Sequence, residues 1–206
     1  MSGRASSHGA GPRWGTRELV LMALMTGLGT LLSQFLIIPV GPAKVQPVQA
    51  LVNVVGAVLY GPWGAVWVAA AISTLRNALG TGTLLAFPGS LFGAALAGAA
   101  WRRTRRLLPT ALGELVGTGL IGALVAYPMV LLILRKPAGA LALVAAFTPP
   151  SAVGAFLGLL VAGVLRRAGL VPGGPAGPEA GLPGAAARKT ADPNDPNARE
   201  GRNPTR

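Results

Sequence analysis

The sequence predicts an all-α integral membrane protein, a bundle of six transmembrane helices with both termini on the cytoplasmic side. Three observations predict it. Hydrophobic residues make up 51% of the 206 residues and charged residues only 12%, about half the charge of an ordinary soluble domain. Several apolar runs approach the ~20 residues needed to cross a bilayer. The 18 basic residues flank these runs or follow them, in the asymmetric pattern that sets which loops stay inside.

Residues 1–17 are rich in Gly, Ser and Arg and are expected to form a disordered cytoplasmic N-terminus. The membrane domain is expected over 18–167, with a disordered cytoplasmic tail at 168–206. Leu19 to Val40 reads as the first span. It is too long for a signal-peptide core and lacks a small-residue cleavage site. Gly41-Pro42-Ala43-Lys44-Val45-Gln46-Pro47 reads as a loop, because two prolines and a glycine prevent continuous helix. From Val48 to Leu79 the chain is apolar except at Gly61-Pro62-Trp63-Gly64. One helix of that length would measure about 48 Å, against a hydrocarbon core of about 30 Å. A hairpin of two helices is therefore expected. It also puts Arg102, Arg103, Arg105 and Arg106 on the same side as Arg4, Arg13 and Arg17. Leu84 to Ala100 is the fourth span and Ala111 to Leu134 the fifth, with Tyr127-Pro128 in its far half. Ala140 to Leu165 is the sixth, interrupted by Pro149-Pro150 and closed by Arg166-Arg167. On this topology 14 of the 18 basic residues lie inside, and only Lys44, Arg76, Arg135 and Lys136 lie outside.

The net charge of +12 does not point to nucleic acid, because no basic face is interleaved with aromatics as a binding groove requires. With no cysteine and a single histidine, His8 in the N-terminal segment, thiolate chemistry and disulfides are excluded. Four of the six carboxylates lie near the chain ends, so neither a metal centre nor any other cofactor is expected. The sequence has no Gly-rich Lys-Ser/Thr phosphate loop and no intramembrane Ser–His or paired-Asp arrangement. It does not read as an enzyme.

Polar residues converge on the outer half of the bundle. Gln46, Gln49 and Asn53 recur at spacings of three and four and share a helix face, with Lys44 just before them. Arg76 and Asn77 leave the third helix toward the same side, and Phe87, Pro88 and Ser90 begin the fourth beneath the outer turn. Intramembrane polar groups usually face a cavity or a partner. For Lys44 and Arg76, snorkelling to the headgroups is the alternative; for Gln49 and Asn53, it is hydrogen bonding between helices. The fourth helix can be an ordinary helix start. Tyr127, Phe147 and Ser151 either complete a pocket or pack. Glu114 is expected about one turn inside the inner surface, near the arginines at 102–106, where it pairs or snorkels, with a proton-coupling role as the alternative. Small residues recur four apart at Ala23 and Gly27, at Gly89, Gly93 and Ala97, and at Gly154, Gly158 and Ala162. Such stripes serve packing within the bundle or docking of another subunit.

Gly41-Pro42-Ala43-Lys44, Pro47-Val48-Gln49, Gly61-Pro62-Trp63 and the stretch Arg76-Asn77-x-Leu79-Gly80-Thr81-Gly82-Thr83-Leu84-Leu85-Ala86-Phe87-Pro88-Gly89-Ser90 resemble the ThiW family. So do Gly113-Glu114 and Gly117-Thr118-Gly119 to Ala126-Tyr127-Pro128. The likeness runs in order from Leu19 to Arg167. The resemblance implies the thiazole-binding S component of an energy-coupling factor (ECF) transporter, with a site open to the outside. It implies a transmembrane coupling subunit and a pair of ATPases as partners, docked through Ala23 and Gly27. The implied substrate is hydroxyethylthiazole or a related small heterocycle. The implied substrate-binding set joins the convergent polar and aromatic residues: Lys44, Gln46, Gln49, Asn53, Arg76, Asn77, Phe87, Ser90 and Tyr127. The chain departs from the family pattern at Ala50, where a histidine is common, and near Gln46, where an aromatic is. A self-sufficient homo-oligomeric facilitator or channel is the alternative reading, distinguished by transport without ATPase partners.

Overall fold

The computed structural model describes residues 14–35, 38–40, 43–133, 135 and 139–171. The expected terminal tails lie outside the described residues except at 14–17 and 168–171. Helix α1 spans Thr16–Phe35, β1 Ile38–Val40, β2 Ala43–Val45, α2 Pro47–Ala78 and α3 Ala86–Thr104. A continuous rod follows, made of α4 (Leu107–Leu115), a π-helical segment (Val116–Gly122) and α5 (Ala123–Leu132); α6 spans Ala140–Arg167. Four of these stretches, 16–35, 47–78, 107–132 and 140–167, are long and apolar enough to cross a membrane. The protein is a helical, multi-pass membrane protein.

The first span stops earlier than expected. Pro39 has no N–H for the helical ladder, and the residue before a proline is pushed toward extended backbone. The chain leaves α1 at Phe35 and forms a two-stranded ribbon in which Pro39 faces Lys44. Inside α1, Thr26 and Thr30 turn their hydroxyls back to the carbonyls of Met22 and Thr26, each at 2.8 Å. That satisfies both polar groups without help from solvent.

Counted as uninterrupted helical ranges, the described residues form five helices and not the expected six, because 47–78 forms one range. The count hides a reversal. Gly61 holds φ 70° and ψ −169°, outside any helix, and Pro62 after it cannot donate to the preceding turn. Residues 49 and 76 would stand about 40 Å apart in a straight helix, yet Arg76 Nη1 lies 3.4 Å from Gln49 Oε1. The two arms, 47–60 and 62–78, therefore lie antiparallel. Pro47 opens the first arm at a position where no N–H is needed.

The folded-back α2 is the centre of the bundle. Its Val48, Val52, Val68 and Ile72 bury Met22 of α1, and its Ala57, Ala65 and Ala69 meet Ala94 and Ala97 of α3. Glycines set the remaining seams. A methyl group at Gly117 would come within 2.5 Å of the Phe92 carbonyl, and one at Gly113 within 2.8 Å of that of Leu96. Gly154 on α6 sits directly against the Pro47 carbonyl. The stripes at 89–97 and 154–162 thus serve internal packing, where close backbone approach replaces the missing hydrophobic drive. Ala23 and Gly27 do not: both are exposed, and nothing lies within 4 Å of the space beside Gly27.

The expected break at Pro149-Pro150 is absent, since α6 runs through both prolines. The Thr148 hydroxyl turns back to the Val144 carbonyl at 2.7 Å within that turn. The chain divides into two compact units, 1–164 and 165–206. Of the second, the described residues form the last turn of α6 and its cap. Leu170 N–H returns to Leu165 O at 3.0 Å while Gly169 takes φ 73°, a glycine-terminated helix end.

Candidate functional site

Where the two arms of α2 meet the first turn of α3, a small cleft opens, with a cavity volume of about 40 Å³. Gln46 and Gln49 from the start of α2, and Arg76 from its end, form one side. Thr83, Ala86, Gly89 and Ser90 form the second, and Thr118 and Phe147 close the third. The convergence follows from the reversal at Gly61, which returns the end of the second arm to the start of the first.

Arg76 decides the character of the cleft. It does not snorkel: its side chain is 1% exposed. Nη1 donates to Gln49 Oε1 at 3.4 Å, while Nε and Nη2 have no partner among the described residues. Gln46 is equally buried, and neither atom of its amide has a partner. Buried polar groups are nearly always hydrogen-bonded, so two such side chains lining one cleft mark a place built for something polar.

From Arg76 a directed chain of hydrogen bonds runs inward. Gln49 Nε2 donates to Asn53 Oδ1 at 3.3 Å. Asn53 Nδ2 donates to Glu114 Oε1 at 3.5 Å and to the Ser90 carbonyl at 3.3 Å. Every link points from the guanidinium toward the carboxyl group. Glu114 is fully buried, with Thr118 Oγ1 at 2.6 Å from one oxygen and Ser151 Oγ donating to the other at 2.8 Å. The expected pairing of Glu114 with arginines does not occur: Arg102, Arg103, Arg105 and Arg106 are exposed. The rod begins at Leu107 and not at Ala111, which carries Glu114 about one turn deeper.

The other expected site residues divide by position. Gln46, Gln49, Arg76 and Ser90 line the cleft; Asn53 stands one layer behind it. Ser90 also shares a 2.8 Å hydrogen bond with Ser73. Asn77 holds the turn after α2, donating to Ser73 O at 2.8 Å and to Thr83 O at 3.3 Å, while the N–H groups of Thr81 and Gly82 both return to Arg76 O. The Gly-Thr-Gly-Thr stretch therefore sets the rim, with Gly80 at φ 72°. Phe87 and Tyr127 are half-buried and outside the cleft. Tyr127 packs on the cluster of Leu85, Ala126, Val130 and Leu143, and the aromatic wall is Phe147. Lys44 lies in β2, with its side chain outside the described residues. Ala50, buried against Gly154 of α6, also lies away from the cleft.

Ser73, Thr83 and Thr118 were not singled out as site residues by the sequence reading, although two signals existed. Ser73 stands three and four residues before Arg76 and Asn77, and Thr118 stands four after Glu114, so each pair shares a face. Thr118 owes its position to the π-helical segment, whose wider turn lets Gly117 and Gly122 close against α3.

A family model described as thiamine-precursor transporter protein, ThiW, matches residues 19–168. The chain belongs to the ThiW family. The match runs from α1 through α6, so all the cleft residues fall inside it. ThiW is a transporter family for a thiamine precursor, which fits apolar helices gathered around a buried polar cleft. No curated protein and no solved structure gives a significant match.

Proposed function

We propose that this ThiW protein is the substrate-binding S component of an ECF-type importer in the cell membrane, capturing hydroxyethylthiazole or a related small thiazole from outside. The observation that carries the reading is the cleft at the ends of both α2 arms, with Gln46 and the Nε–Nη2 edge of Arg76 buried and without partners among the described residues. Counted as separate helices, those arms make the six of an S component, with both termini cytoplasmic. The interior beneath the cleft is filled by Asn53, Ser90, Thr118 and Glu114 in mutual contact. That filling favours a capture site over an open channel. Release to the inside then needs a movement driven by partners, the transmembrane coupling subunit and its ATPase pair. The exposed stripe of Ala23 and Gly27 is the proposed docking face.

A ligand of about nine heavy atoms can gain at most roughly −13 kcal/mol, at about −1.5 kcal/mol per atom. Nanomolar capture, near −12 kcal/mol, thus needs contact with nearly every atom. The test is equilibrium binding of hydroxyethylthiazole to the purified protein, with thiamine and hydroxymethylpyrimidine as competitors. Submicromolar, thiazole-selective binding is expected. Selectivity for thiamine would overturn the substrate, and no binding of any of the three by folded protein would overturn the role.

A further inference from the structure

Among the described residues, Arg76 is the only charged one lining the cleft. Its Nη1 is engaged by Gln49, which leaves the Nε–Nη2 edge, the side of the guanidinium that presents two parallel N–H bonds, without a partner among the described residues. That fork matches the two oxygens of a carboxylate or phosphate. Glu114 does not pair with Arg76 directly: its oxygens accept from Thr118, Ser151 and Asn53, and Gln49 and Asn53 stand between the two groups. The first turn of the 19-residue α3 also lines this space through Ala86 and Gly89. The Ala86 and Phe87 N–H groups are taken by Thr83 O and Leu84 O and Pro88 has none, which leaves the guanidinium as the positive element. A neutral alcohol leaves a buried cation uncompensated, whereas an anion compensates it and fills both donors.

We infer that the preferred ligand of the cleft carries an oxyanion, a carboxylate or a phosphate, received by the Nε–Nη2 edge of Arg76, while the amide of Gln46 meets the remaining polar atoms. The inference rests on the reading of this cleft as the substrate site and ranks, within that class of small thiazoles, the acidic members above the neutral alcohol.

The test measures binding of four compounds to the full chain in detergent: hydroxyethylthiazole, its phosphate monoester, a methylthiazole carboxylate and the methyl ester of that carboxylate. The ester removes the charge without altering the protein, so this comparison stands even if a variant fails to fold. The acid is expected to bind roughly 10- to 100-fold more tightly than its ester, the range for a charge-assisted hydrogen-bond pair. The phosphate arm shows which oxyanion fits. In Arg76→Gln this preference should collapse, with the alcohol's affinity changed less than the acid's. Arg76→Lys should restore part of it, because the charge remains and the fork is lost. Alcohol and ester binding as tightly as the two anions would overturn the inference and leave the capture role standing. Equal weakening of all four compounds in a folded Arg76→Gln would also overturn it. Failure of all four to bind the wild type would overturn the capture role and the inference together.

Discussion

Gln49 uses both ends of its amide, accepting from Arg76 and donating to Asn53. Removing it leaves a buried N–H and a buried carbonyl unpaired, each worth about 1–3 kcal/mol. Gln49→Ala is expected to weaken ligand binding by roughly tenfold or more and to lower the unfolding temperature in detergent. Titration of the purified variant checks the first, and an affinity within twofold of wild type would remove Gln49 from the site. Gly93 offers a second probe of the same network. A methyl group there would collide with Thr118 Oγ1 and reach within 3.0 Å of Glu114 Oε1. Gly93→Ala is expected to cost about 1–3 kcal/mol, as overpacking usually does, and a thermal melt reads it directly. The family departure at Ala50 has a local consequence too. The position faces Gly154 and not the cleft, so the larger histidine side chain would press on α6.

At the scale of elements, the bend in α2 creates the site. Gly61 occupies a backbone region open essentially to glycine alone, while the space beside it is empty. The penalty for Gly61→Ala is therefore conformational and not steric, about 1–3 kcal/mol. The variant should unfold at lower temperature and also bind ligand less tightly, because Gln49 and Arg76 depend on the reversal to meet. Calorimetry and binding on the same preparation test both parts, and a normal melting temperature would show that the bend tolerates a side chain. The rod makes the contrasting case. Gly117 lies in a wide π turn against the Phe92 carbonyl, so Gly117→Ala should separate the rod from α3 and displace Thr118. Gly27→Ala meets open space in a helix and should leave the melt unchanged or raised by a few tenths of a kcal/mol.

For the whole molecule, the proposed topology and partnership make separable predictions. The chain has no cysteine, so single introduced thiols report sidedness without background. Thr81→Cys in the rim turn should react with an impermeant maleimide in intact cells, and Arg103→Cys only after permeabilisation. The reverse pattern would invert the bundle. Gly27→Leu on the exposed face of α1 should leave ligand affinity in detergent unchanged and reduce uptake in cells that carry the coupling subunit. Unimpaired uptake would take docking away from that stripe.

The membrane class, the reversal near Gly61-Pro62 and the shared face of Gln46, Gln49 and Asn53 were legible in the residues alone. These are local matters: apolar length, backbone-breaking residues and helical period. The sequence also carried the family, because the stretch from Arg76 to Ser90 is a contiguous motif. Within that motif only the tertiary structure separated Arg76 and Ser90, which line the cleft, from Asn77 and Phe87, which shape the turn and pack. The placement of Glu114 and the partnership of Ser73 with Ser90 were likewise decided by helices crossing. Which side chains meet depends on where each helix begins and how closely glycine seams let neighbours approach. A start four residues early carried Glu114 from the expected single turn inside the surface into the core, where Asn53, Thr118 and Ser151 meet it from separate elements or turns, beyond the reach of any local pattern.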